Sequence, residues 1–80
     1  MKQVSTNDLH LIPRGFHSIA VDGEGVLSAF RCRKCHLIPN GKRWMIDGKF
    51  HSYIGYPSIV IGYGYDATNW KNSAMNKEGE

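Results

Sequence analysis

Two dipeptides, Asn40-Gly41 and Asp47-Gly48, constrain this chain more than any other part of it. Each suits the two-residue loop of a β-hairpin, because Asn, Asp and Gly tolerate the positive φ that a type I′ turn demands of both central residues. Apolar and aromatic residues flank them. Lys42 to Ile46 lies before the second pair, Lys49 to Tyr53 after it, and Ser58 to Tyr63 beyond Gly55 and Pro57. Upstream, Gly15 to Val21 and Val26 to Arg31 enclose Asp22-Gly23-Glu24-Gly25 and read as an earlier hairpin. Turn signals this close together predict an all-β or β-rich fold, a small antiparallel meander of about five strands.

The expected organisation is a single small domain over residues 1–80, with an irregular arm at 1–13, the meander at 15–71 and a mobile tail at 72–80. In the arm, Ser5, Thr6 or Asn7 is placed to cap one helical turn through Leu9 and Ile12, and Pro13 ends it. Loose docking of Leu9, Leu11 and Ile12 on the sheet is the equal alternative. Residues 32–39 read as a connection or a short irregular strand. The tail from Asn72 has little to bury. A two-residue loop at Asp47-Gly48 sets Trp44 opposite His51, on one face with Ile46 and Tyr53. Arg43, Met45, Phe50 and Ser52 take the other face. The Trp44 face carries more apolar surface and is expected to be the buried one. Gly15-Phe16-His17-Ser18 is echoed by Lys49-Phe50-His51-Ser52, but two imperfect copies do not make a repeat array.

A chain of 80 residues buries only about 60–65% of its unfolded surface, which leaves little room for an internal active site. The formal charge of +3 favours acidic partners without naming one. No apolar run approaches the ~18 residues of a membrane span. Asp8 and His10 interrupt the one apolar cluster of the N-terminus, so no signal-peptide core is read there. The expectation is a soluble, cytoplasmic protein with no membrane association.

Trp44, Asp47-Gly48-Lys49, His51, Gly55, Pro57 and Ile59, preceded by Asn40-Gly41 and followed by Gly64 and Trp70, resemble a β-hairpin repeat of phage and large-virus proteins. That repeat runs Asn-Gly, Trp, Asn-Gly-Lys, His-Arg, Gly-Pro-Ala, then Gly and Trp. The similarity covers about residues 40–70. It departs from the pattern at Ser52, where Arg is usual, at the inserted Tyr56, and at Ser58 in place of Ala. The resemblance implies a viral or prophage setting, with the host cytoplasm as its place, and brings no catalytic residues with it.

Four constellations carry potential chemistry. Cys32-Arg33-Lys34-Cys35-His36 is literally Cys-x-x-Cys-His, the pattern of covalent haem attachment. No export signal accompanies it and its surroundings read as strands, so haem is set aside. Two thiolates at this spacing can chelate zinc if two further ligands join them, and Cys32, Cys35, His36 and His51 are the candidate set. His10 and His17 are further candidate ligands. The plainer reading is two reduced thiols on a loop, since cytoplasmic cysteines seldom form structural disulfides. Ile59-Val60-Ile61-Gly62-Tyr63-Gly64 with Trp70-Lys71-Asn72-Ser73 resembles the C-terminal segment of papain-like cysteine peptidases. Tyr56-Pro57-Ser58 stands where the histidine belongs, however, and the chain is too short for two lobes. Last, Arg31, Arg33, Lys34, Lys42, Arg43 and Lys49 cluster in sequence near Trp44, His51 and Tyr53, a composition suited to phosphates and stacked bases.

No paired carboxylates, phosphate loop or nucleophile motif is present, so no enzymatic activity is expected. The leading expectation is a small viral-type protein that binds a host protein and inhibits it. Arg43, Tyr53, Tyr56, Tyr63 and Tyr65 are the contact candidates, because aromatic residues and Arg are enriched at interfaces. A basic nucleic-acid-binding or zinc-stabilised module is the alternative. Composition does not fix an oligomeric state.

Overall fold

The computed structural model describes residues 1–47 and 57–78. The strand-rich, antiparallel class expected from the turn spacing is the class observed. Strands β1 (Ser18–Val21), β2 (Leu27–Phe30), β5 (Ser58–Gly62) and β6 (Met75–Asn76) make one sheet in the order β5-β2-β1-β6. Strands β3 (Leu37–Asn40) and β4 (Arg43–Ile46) make a separate two-stranded sheet. The strands therefore do not follow one another in simple meander order. After the β1–β2 hairpin the chain leaves to form the second hairpin, then returns to pair β5 with β2.

The alternation of β1 and β2 explains this arrangement. Ile19 pairs with Ala29 and Val21 with Leu27, so these four share one face, while Ser18, Ala20, Ser28 and Phe30 share the other. Both faces of β1 are buried, and each needs its own cover. On the first face Ile19, Val21, Leu27 and Ala29 pack with Phe16 and Tyr65, and Val4, Leu9, Ile12, Ile59, Ile61 and Trp70 close around them. On the second face Ala20 and Phe30 pack with Cys32, Leu37 and Ile46, with Trp44 and Ala74 at the margin. The β3–β4 hairpin is thus a roof laid over one side of the larger sheet.

The N-terminal arm ends in a 3-10 helix, Thr6–Leu11, capped by Ser5. The Ser5 hydroxyl accepts from the Asn7 N–H, and the Asp8 carboxylate accepts from the Ser5 N–H, a reciprocal pairing that satisfies helix-end donors. Asp8 also receives the Tyr65 hydroxyl at 3.0 Å. The cap therefore doubles as a clamp between the arm and the core.

Three expectations need correction. The loop of the β3–β4 hairpin is Gly41-Lys42, not Asn40-Gly41, because Asn40 pairs with Arg43. Gly41 alone has positive φ (63°), as a type II′ turn with Gly at its first central position requires. Residues 37–40 form a full strand, where a connection or short irregular strand was expected. Pro39 is tolerated there because a two-stranded sheet leaves it on an edge. The segment from Asn72 to Glu78 is not a loose tail. Ser73 and Asn76 are buried, β6 pairs with β1, and the Lys77 N–H donates to the His17 carbonyl at 2.7 Å. The burial pattern expected for β4 holds: Ile46 is buried and Trp44 half-buried, while Arg43 and Met45 are exposed. Its expected pairing with Phe50, His51 and Tyr53 across Asp47-Gly48 lies outside the described residues.

Candidate functional site

The roof covers only part of the second face. It lies over Ala20 and Phe30, and beside it the sheet floors a cleft of about 340 Å³. Val26, Ser28, Ser58 and Val60 form the floor, Phe30 and Trp44 one wall, and Asp22, Glu24, Arg43 and Tyr63 the rim. Strand alternation puts these floor residues together: Ser28 pairs with Val60 and Phe30 with Ser58, on the face opposite Ile59 and Ile61.

Each wall is fixed by its own chemistry. The Trp44 indole donates from Nε1 to the Val21 carbonyl at 2.8 Å and meets Trp70 edge-on, with centroids 5.5 Å apart and planes at 87°. Beside it the Ser73 hydroxyl accepts the Val21 N–H at 2.9 Å. Together the two side chains satisfy the part of the β1 edge that lies beyond β6. At the rim, Asp22 is committed to its turn: its carboxylate accepts the N–H groups of Glu24 and Val26. The tip of the second hairpin joins the same end, where the Gly23 N–H donates to the Lys42 carbonyl at 2.7 Å. Arg43 and Glu24 project from this rim and are exposed.

The tyrosines named from the sequence separate. Tyr63 is 68% exposed at the rim of the cleft. Tyr65 is 4% exposed and belongs to the core, which removes it from any contact surface. Burial raises its phenol pKa above the ordinary value, and the Asp8 hydrogen bond and charge add to the rise. Its ring also lies under the Lys2 ammonium at 4.7 Å. Tyr53 and Tyr56 lie outside the described residues.

The basic residues do not gather into one patch. The Arg31 guanidinium lies 4.6 Å from the Phe16 ring centroid, Arg33 pairs with Glu78 at 2.8 Å, and the Lys34 backbone N–H is held by the Asn76 side chain. These three follow the Phe30 end of β2. Lys42 and Arg43 stand at the opposite end, at the hairpin tip. Lys49 lies outside the described residues.

The cysteines also differ. Cys32 is buried beneath the hairpin, whereas Cys35 is exposed on the 3-10 turn Lys34–His36. Burial pushes the Cys32 thiol pKa up, which opposes the thiolate that a metal ligand must supply. Among the described residues no three His, Cys, Asp or Glu side chains come together to hold an ion. Cys32, Cys35 and His36 therefore do not by themselves fit a zinc centre, and His51 lies outside the described residues. Likewise, no helix among the described residues is long and apolar enough to cross a membrane.

Sequence reasoning does not single out Val60 or Lys71. Val60 is 50% exposed on the cleft floor, yet it sits in an unbroken apolar run that gives no sign of which residue faces outward. Lys71 lies over the Trp70 ring, 5.7 Å from its centroid. Beyond Trp70, the residues that share its groove (Leu37, Pro39 and Trp44) are distant in sequence. Compared with known proteins, the chain matches no family model, no curated protein and no solved structure.

Proposed function

We propose that this chain is a small non-enzymatic protein of viral or phage type that binds a host protein stoichiometrically and so inhibits or redirects it. The observation that carries the reading is the mouth of the 340 Å³ cleft, where Tyr63 and Val60 are 68% and 50% exposed beside Arg43 and Trp44. Large aromatic and aliphatic groups around a concave, partly apolar floor, with Arg at the rim, are what protein interfaces concentrate. The nucleic-acid alternative asks for a continuous basic track. Dispersal of Arg31, Arg33 and Lys34 from Lys42 and Arg43 argues against such a track.

Capture from a host lysate, with and without nuclease, tests the reading. A single protein recovered in equimolar amount and unaffected by nuclease is the expected result. Tyr63→Ala is expected to weaken that complex by about 1–2 kcal/mol or more, as loss of an interface anchor does. Arg43→Ala should act mainly on the association rate. Recovery of nucleic acid alone, abolished by nuclease, would overturn the proposal.

A further inference from the structure

Among the described residues, one sheet edge stands apart from the others in lacking a defence against further pairing. On the larger sheet, β6 is only two residues long, and the Val21 backbone beyond it is taken by Trp44 and Ser73. In the second sheet, Pro39 interrupts β3 and Arg43 stands at the head of β4. Short length, proline and charge are the usual protections of a strand edge. β5 reads Ser58-Ile59-Val60-Ile61-Gly62, with neither charge nor proline. It is the last strand of its sheet, and among the described residues nothing pairs with it on the side away from β2.

The ladder fixes which backbone groups face outward. The Arg31 N–H donates to the Pro57 carbonyl at 3.0 Å, so residues 31 and 57 form a hydrogen-bonded pair between β2 and β5. Antiparallel pairs alternate, which makes Ala29 and Ile59 the next hydrogen-bonded pair. Ser58 and Val60, opposite Phe30 and Ser28, therefore aim their N–H and C=O groups away from β2. The ladder's one irregularity falls beyond Val60, between Leu27 and Ser28 on the partner strand, and leaves this stretch regular. Val60 is correspondingly open to solvent.

We propose that β5 pairs edge to edge with the β5 of a second copy of this chain, antiparallel, about a two-fold axis at Ile59. In that register Ser58 of each copy exchanges hydrogen bonds with Val60 of the other, and every outward N–H and C=O of these residues finds a partner. An axis at Val60 would instead set Ser58 against Gly62, on the far side of the bulge, where the regular alternation is lost. The side chains agree with the first register. Ile59 meets its own image on the face of the Phe16 core, and Val60 meets Ser58 on the cleft face. No charge is set against its like, the common obstacle to pairing a strand with itself. This self-match selects a second copy over an unrelated strand. Two-fold pairing also consumes the undefended edge of both copies, so assembly closes at the dimer. The two clefts then lie side by side, their floors joined through Ser58 and Val60. A ladder this short buries less than the ~1,200 Å² of a standard interface, so the dimer is weak and concentration-dependent. The inference goes beyond host-protein binding and does not rest on it.

Sedimentation velocity of the full chain from about 10 μM to about 1 mM, a range that reaches millimolar dissociation constants, provides the test. A reversible shift from monomer to dimer and no further is expected. Val60→Pro removes an N–H that faces away from β2, a place where an edge strand tolerates proline. The dimer loses that donor from both copies and should weaken by about tenfold or more. Val60→Thr keeps the N–H and the β-branched shape and should stay within about threefold. A crosslink covers a failure of the proline variant to fold. Across the axis the two Ile59 Cα atoms would lie about 4.5 Å apart, as in a non-hydrogen-bonded pair, within the span of a disulfide. In a Cys35→Ser background, Ile59→Cys should therefore form a covalent dimer with oxidised glutathione, which is reduced to two thiols, at least about tenfold faster than Ser58→Cys. A monomer throughout the concentration range would overturn the proposal. So would equal dimerisation of Val60→Pro and Val60→Thr, faster crosslinking through Ser58→Cys, or growth beyond the dimer.

Discussion

Alanine at Gly25 and at Gly41 should separate two costs that a turn glycine can avoid. Both glycines have positive φ, 80° and 63°. An L-residue in that conformation costs roughly 1–2 kcal/mol. At Gly41 nothing lies within 4 Å of the added methyl, so this strain is the whole effect. At Gly25 the methyl would stand 2.5 Å from the Tyr65 carbonyl oxygen. Comfortable carbon–oxygen contacts begin at about 3.3 Å, so the Tyr65 backbone must retreat by most of an ångström. That motion stretches the hydrogen bond from the Tyr65 N–H to the Gly25 carbonyl, now 3.0 Å, worth about 0.5–1.5 kcal/mol. It also unseats a tyrosine of the core, whose full burial is worth about 1.5–3 kcal/mol. Gly25→Ala should therefore lose about 3–6 kcal/mol and Gly41→Ala about 1–2 kcal/mol. Against a stability on the order of 4–12 kcal/mol for a chain of this length, the first variant approaches unfolding. Urea titrations followed by tryptophan fluorescence measure both. Losses equal to within about 0.5 kcal/mol, the usual limit for independent sites, would refute the argument that Tyr65 packs on Gly25.

Two further outcomes follow from the same core. Ser73→Ala leaves the Val21 N–H buried without its hydroxyl partner and should cost about 1–3 kcal/mol in the same titration. Ser28→Ala, on the half-buried cleft floor, should stay within about 0.5 kcal/mol, and equal effects would contradict the edge-closing role of Ser73. Tyr65 has a raised pKa when folded, so the unfolded chain releases the phenolic proton first. Stability should fall as pH climbs from the ordinary tyrosine value, about 10, toward the folded value. Tyr65→Phe lacks this loss, so the stability difference between parent and variant should shrink above about pH 10. A difference constant from pH 8 to 11 would exclude the linkage.

Four strands, β1, β2, β4 and β5, were legible because glycine-bearing turns separate β-branched or aromatic runs. The others were hidden for identifiable reasons. Leu37-Ile38-Pro39-Asn40 contains a proline, which ordinarily argues against a strand, and only the two-stranded sheet makes it harmless. Met75-Asn76 is too short and polar to announce itself. It is held by the Asn76 carboxamide and the neighbouring Lys77 N–H, contacts made with residues far away in the sequence. The Asn-Gly signal located a hairpin but missed its register by one residue, since Gly41 serves a type II′ turn as well as a type I′ turn. The tyrosines show the limit most clearly. Tyr63 and Tyr65 flank one glycine and look equivalent, yet β5 ends at Gly62 and the backbone turns at Gly64 (φ 75°), which sends one ring outward and the other into the core. The cleft itself was not legible, because it exists only where the second hairpin falls short of covering the sheet.

The Val21 N–H ends on the Ser73 hydroxyl instead of on a neighbouring strand, and this gives the sheet edge a dynamic signature. In native-state deuterium exchange, amides within the β1–β2 ladder open only with the larger cooperative unit, whereas the Val21 amide is released whenever the segment carrying Trp70 and Ser73 lifts away. Its protection factor thus measures the docking equilibrium of that segment alone.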